Sequence, residues 1–118
     1  MADVETRVEL TCLLDFYGPL LTEHRREVLR LYCEEDLSLA EIAEQLSITR
    51  QGVSDALQKG RRQLMDYEEK LGLAQRYREL GEQAQRCMQA LDRVQVRGEE
   101  QQYINEAREA LQNILYER

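Results

Sequence analysis

The sequence predicts an all-α protein, and three observations carry that prediction. Apolar residues recur at spacings of three and four along most of the chain, the period of a helix with one buried stripe. Charged residues make up 33% and a single Pro interrupts the 118 residues, a profile rich in Glu, Gln, Arg, Leu and Ala. β-branched residues form no alternating run, so no strand is expected. A chain of this length makes one domain, or one small domain with an appendage. It buries roughly two-thirds of its unfolded surface, enough for a core without staples.

The first helix is expected over about residues 4–17, with Val4, Val8, Leu13 (or Leu14) and Tyr17 on one stripe. Gly18-Pro19 ends it, because Pro cannot continue a helix. Thr22 suits the N-cap of a second helix over about 23–34, with Val28, Leu29, Leu31 and Tyr32 inward and Arg25, Arg26 and Arg30 outward. After the acidic turn Glu34-Glu35-Asp36, Ser38 opens a third helix with Glu41 three positions on. That pair makes a capping box, each side chain satisfying the other residue's unpaired backbone N–H. Ser47-Ile48 is the next turn. Thr49 caps a fourth helix that runs to about Leu71 and closes at Gly72. Leu73, Tyr77, Leu80, Ala84, Cys87 and Leu91 then form a heptad-like seam. Val96-Arg97-Gly98 is a turn, and Ile104, Ala107, Leu111 and Ile114 resume the spacing on a last helix. The expected organisation is a helix-turn-helix domain over 1–72 and a C-terminal helical hairpin over 73–118, used for packing or dimerisation.

The stretch from Asp36 to Leu57 reads as the helix-turn-helix itself. Two short helices that cross steeply need a small residue where they approach, and Ala43 sits there. Leu39, Ile42, Ala43, Leu46, Ile48, Val53 and Leu57 fill the core between them, leaving the second helix able to enter a major groove. On that helix Val53, Leu57, Gly60 and Leu64 face inward. A turn of roughly 100° per residue puts Gln51, Asp55, Gln58 and Arg62 on the opposite face. Arg50, Ser54 and Arg61 fall on one flank and Lys59 on the other. Early positions of such a helix read bases and later basic ones hold phosphates. Thr49, Arg50, Gln51 and Ser54 are therefore the base-edge candidates. Lys59, Arg61 and Arg62 are the backbone candidates, and Gln58, on the face of Arg62, joins the candidate binding set.

Net charge is -7, but it is unevenly spread. Residues 1–48 hold eleven acids and four bases, residues 49–65 one acid and four bases, and residues 66–118 eleven acids and eight bases. The one basic excess coincides with the presumed recognition helix. It is thin, so binding to a polyanion is expected to be weak and strongly salt-sensitive.

Other chemistry finds little support. No stretch approaches the roughly 20 apolar residues of a membrane span, and MADVETRVEL lacks the layout of a signal peptide. Cys12, Cys33 and Cys87 are odd in number and far apart, which reads as reduced thiols on apolar helix faces in the cytoplasm. His24 stands alone as a surface residue, the acidic turn as a solvated one, and the six tyrosines as core-edge packing. No phosphate loop, catalytic carboxylate pair or nucleophile–base set is present. The expectation is no catalytic residue, no metal and no cofactor.

At these residues the chain resembles the fourth region of bacterial sigma factors, especially the extracytoplasmic-function group. Leu21-Thr-Glu-His-Arg-Arg-Glu-Val-Leu-Arg-Leu31 is similar to the helix before the motif. Leu37-Ser-Leu-Ala-Glu-Ile-Ala-Glu-Gln-Leu46 is similar to the first motif helix, and Gln58-Lys-Gly-Arg-Arg-Gln-Leu64 to the Arg-rich end of the recognition helix. A narrower resemblance is closer. Leu14-Asp-Phe-Tyr-Gly-Pro-Leu-Leu-Thr22, Asp36-Leu-Ser-Leu-Ala-Glu-Ile-Ala43, Thr49-Arg-Gln-Gly-Val-Ser-Asp55 and Asp66-Tyr-Glu-Glu-Lys-Leu71 resemble the YlxM family, small helix-turn-helix proteins associated with signal recognition particle genes.

The resemblance covers about residues 8 to 73. It implies a sigma region-four-like bundle and a cytosolic bacterial regulator acting in the signal recognition particle pathway. The expected partners are nucleic acid, DNA ahead of RNA, together with signal recognition particle components and a second copy of the chain. The alternative is a protein- or RNA-interaction module without sequence-specific DNA binding. Some positions depart from the sigma pattern. Ser54 and Ala56 stand where basic residues are frequent, Asp55 adds a negative charge, Ser47 replaces a turn Gly, and Gly52 sits early in the recognition helix. These changes weigh against sequence-specific promoter reading.

Overall fold

A computed structural model describes residues 4–116, with side chains from residue 7 onward. The described residues form six α-helices and one 3-10 turn, with no strand. By contacts the chain divides into two compact units, Met1–Ala74 and Gln75–Arg118.

Four helices build the first unit: α1 (Val4–Tyr17), α2 (Glu23–Cys33), α3 (Leu39–Leu46) and α4 (Arg50–Leu71). Each boundary has a local cause. Gly18-Pro19-Leu20 tightens into a 3-10 turn after α1. The Thr22 hydroxyl accepts the Arg25 N–H at 3.3 Å and so starts α2. Ser38 and Glu41 complete the capping box of α3, each accepting the other's backbone N–H at 3.1 Å. The Thr49 hydroxyl takes the Gly52 N–H at 2.9 Å to open α4. Gly72, at φ 62°, closes α4 in the left-handed region that glycine enters without steric cost.

Two hydrophobic clusters meet along α2 and α4. Leu10, Leu13, Leu14, Tyr17, Leu21, Leu29, Leu64 and Ala74 form one. Val28, Leu31, Tyr32, Ile42, Ala43, Val53 and Ala56 form the other. Gly60 sets the approach of the two shared helices, because a Cβ there would lie 2.7 Å from Leu29 Cδ1, inside contact distance.

The α1 stripe differs from the sequence expectation. Its buried residues are Leu10, Leu13, Leu14 and Tyr17, whereas Val8 is exposed. Val8 lies two residues before Leu10, about 200° around the helix, so the two cannot share a face. The Val4 side chain lies outside the described ones.

Two polar ties fasten this unit. The Arg7 guanidinium stacks over the Tyr32 ring at 4.4 Å from its centroid and pairs with Asp36, joining α1 to the end of α2. At the other end, the Tyr17 hydroxyl donates to Glu68 Oε1 at 2.7 Å and accepts the Leu73 N–H at 3.1 Å. The same Glu68 oxygen accepts the Ala74 N–H at 3.0 Å. Leu73 and Ala74 are the first residues of α5 (Leu73–Asp92), so a buried phenol and a carboxylate satisfy helix-start donors that otherwise lack partners. Burial, then the bond to Glu68, pushes the Tyr17 phenol above its ordinary pKa.

The second unit holds the rest of α5 and α6 (Glu100–Tyr116). Residues 93–99 join them, with Gly98 at φ 78°, and Arg108 pairs with Asp92. Its packing is thin. Ala84 is its one buried hydrophobic residue among the described ones, and α6 has no buried residue. Tyr77, Leu91, Ile104, Ala107 and Leu111 are partly covered, but Leu80, Cys87 and Ile114 are exposed. Tyr103 and Tyr116 are exposed as well, which corrects their placement at a core edge. Cys87, expected on an apolar helix face, is open to solvent.

Candidate nucleic-acid interface

The turn between α3 and α4 is made by a non-glycine residue. Ser47 adopts φ 56° and ψ 44°, and this left-handed step lets the Ile48 N–H reach the Ala43 carbonyl at 3.0 Å. The chain thus turns within three residues, Ser47 to Thr49, before α4 begins. Gly52 follows from the cap. Its absent Cβ would stand 3.1 Å from the Thr49 hydroxyl, so a side chain there would crowd the group that opens the helix. The helix-propensity cost of an early glycine, roughly 1 kcal/mol, is offset by an unobstructed cap.

The structure gathers Ile42, Ala43 and Val53 into one buried cluster and packs Leu39, Leu46, Ile48 and Leu57 against it. Sequence reasoning left Ala56 out of that set, although it lies three residues after Val53. It is buried, so its lack of charge takes nothing from the outer face of α4.

The outer face is open. Thr49, Arg50, Gln51, Gln58, Lys59, Arg61 and Arg62 are exposed and Ser54 is partly covered. No acid stands in the first turn of α4, so the positive end of its dipole is left uncompensated beside Arg50. Arg50 and Arg61 are separated by about 16 Å along the axis, close to half the length of the helix.

Acids crowd the later part of that face. Lys59 Nζ pairs with Asp55 Oδ2 at 3.1 Å. A groove of about 820 Å³ runs between α1 and α4, with Glu9 and Leu13 on one wall and Asp55, Gln58, Lys59, Arg61, Arg62, Met65, Asp66, Glu68 and Glu69 on the other. Its five carboxylates outnumber its three basic groups. The first turns of α4 are therefore better suited to an anion than the last.

Elsewhere two of the three arginines of α2 are engaged. Arg25 donates to Gln63 Oε1 at 2.9 Å. Arg30 pairs with Glu27 at 2.8 Å, and that bond holds the Glu27 carboxyl below its usual range. Among the described residues no group of three His, Cys, Asp or Glu side chains is placed to hold a metal, and no helix is long and apolar enough to cross a membrane.

Residues 4–107 match the family described as "Putative helix-turn-helix protein, YlxM / p13 like" and designated UPF0122. The chain belongs to the UPF0122 family. A UPF0122 protein of Desulforamulus reducens is 38% identical over 110 residues, 93% of each chain. One from Clostridium kluyveri is 44% identical over 89 residues, 75% of this chain and 80% of that one. One from Acetivibrio thermocellus is 54% identical over 69 residues, 58% of this chain and 59% of the relative. The shorter the aligned stretch among these three, the higher the identity. The family's description as a helix-turn-helix protein agrees with the all-helical fold described above.

Proposed function

We propose that this UPF0122 protein is a non-enzymatic, cytoplasmic regulator that binds nucleic acid, DNA ahead of RNA, through the outer face of α4. The observation that supports the reading most directly is that Thr49, Arg50, Gln51, Gln58, Lys59, Arg61 and Arg62 are all exposed on a helix whose other side is held by a packed core. Thr49, Arg50, Gln51 and Ser54 are placed to meet base edges and Lys59, Arg61 and Arg62 to meet phosphates, with Gln58 between them. Four bases give at most a shallow electrostatic contribution. If all four meet phosphates, the logarithm of the association constant falls with the logarithm of salt with a slope of about -3.6.

The test is titration of the protein into a generic DNA duplex and into signal recognition particle RNA at low salt. Arg50→Ala and Arg61→Ala/Arg62→Ala are expected to weaken binding and flatten the salt slope. Absence of binding, or variants that bind as well as the parent, would overturn the reading. The acid-rich groove between α1 and α4 favours a second reading. In it the protein contacts basic surfaces of signal recognition particle proteins through its carboxylates. A salt-sensitive pull-down that survives the α4 substitutions would select that reading.

A further inference from the structure

The α5–α6 unit is too thinly packed to be complete. Its helices carry enough apolar residues for a core, yet Ala84 is its one buried hydrophobic residue among the described ones, and none in α6 is buried. Leu73, Leu80 and Cys87 recur every seven residues along α5, and all three are exposed, so one whole line of the heptad-like seam has no covering layer. Ile114, at 50% exposure, extends the open apolar surface onto α6. Two helices alone cannot enclose such faces, and a layered domain needs a second layer against them.

Charge leaves a second copy free to supply that layer. Residues 1–74 hold fifteen acids and nine bases, a net of -6, whereas residues 75–118 hold eight acids and seven bases, a net of -1. Two copies meeting through their first units would oppose strong like charge. Two copies meeting through α5 and α6 would not. We propose that α5 and α6 dock on the same two helices of a second copy, four helices closing around one shared core. Such a contact is isologous, each copy supplying the same patch, and a four-helix bundle buries the inward face of each of its helices. The proposal goes beyond the reading of α4 and needs no nucleic acid for its test.

Light scattering on the full chain is expected to give about 28 kDa, twice the 13.9 kDa of one chain. Leu80→Glu places two unpaired carboxylates in the shared core and is expected to raise the dimer dissociation constant ~100-fold. Ile114→Lys is expected to act in the same direction. Met65→Glu, at an equally exposed apolar residue of the first unit, is expected to leave it unchanged. As a check that needs no variant, hydrogen exchange of the parent chain is expected to slow with rising protein concentration across 75–116 and not across 7–72. A strict monomer at high concentration would overturn the proposal. So would a dimer broken by Met65→Glu and not by Leu80→Glu, or concentration-dependent protection confined to the first unit.

Discussion

At Gly60 a single missing carbon decides how closely α2 and α4 approach. Alanine there would gain about 1 kcal/mol in helix propensity while meeting Leu29 Cδ1 at 2.7 Å, so the fully buried Leu29 side chain would have to shift. Valine adds two more carbons and less propensity. Gly60→Val is expected to lower stability by about 1–3 kcal/mol, read as a lower urea midpoint with an unchanged slope. Asp55 shows the opposite case, a residue whose removal costs little. Its pair with Lys59 is more than half exposed on both sides, so it contributes between about 0 and 1 kcal/mol. Asp55→Asn is expected to leave the urea midpoint in place and tighten binding to a DNA duplex at low salt, because Lys59 is released and one negative charge leaves the face. A binding curve unchanged from the parent would count against the use of that face.

At the scale of elements, the start of α5 rests on Tyr17 and Glu68. Tyr17→Phe removes the acceptor for the Leu73 N–H and a donor to Glu68, a loss of about 1–3 kcal/mol. Faster exchange of the Leu73 and Ala74 amides is the local readout. The raised phenol also gives a pH dependence. The folded chain holds the Tyr17 proton more tightly than the unfolded chain, whose tyrosine titrates near 10. This contribution is therefore complete below about pH 10 and is lost as pH climbs through the raised value. Alkaline unfolding is expected to begin at higher pH in Tyr17→Phe than in the parent, measured relative to each protein's neutral-pH stability.

The helices themselves were legible in the sequence, because caps are local. Thr22, Ser38 with Glu41, Thr49 and Gly72 all act within four residues of their own positions. The Tyr17–Glu68 tie was not legible, since it spans 51 residues and no spacing rule reaches that far. Nor was the burial of Ala56 or the exposure of Val8, where the face a residue takes depends on which neighbouring helices arrive. The outward positions of α4 followed from its period alone. The carboxylate that α1 contributes beside them, Glu9, did not.

Considered whole, the chain is unequal in its packing. The first unit has two buried clusters sharing α2 and α4, and the second has a single buried alanine among its described hydrophobic residues. Opening should follow that inequality. In dilute solution the amides of α6 are expected to exchange first and those of α2 and the middle of α4 last, close to the rate of global unfolding. Uniform protection through both units would contradict this gradient. The acidity is unequal too, with -6 of the -7 net charge in the first unit.

The unequal surroundings of the three thiols also allow selective labelling. Cys87 is exposed, whereas Cys12 and Cys33 are partly sheltered, and burial pushes the Cys33 thiol up, away from its reactive thiolate form. In dilute solution, where two copies separate, a maleimide dye added briefly near neutral pH should therefore attach to Cys87 first, giving a site-selective fluorophore on α5 without mutagenesis.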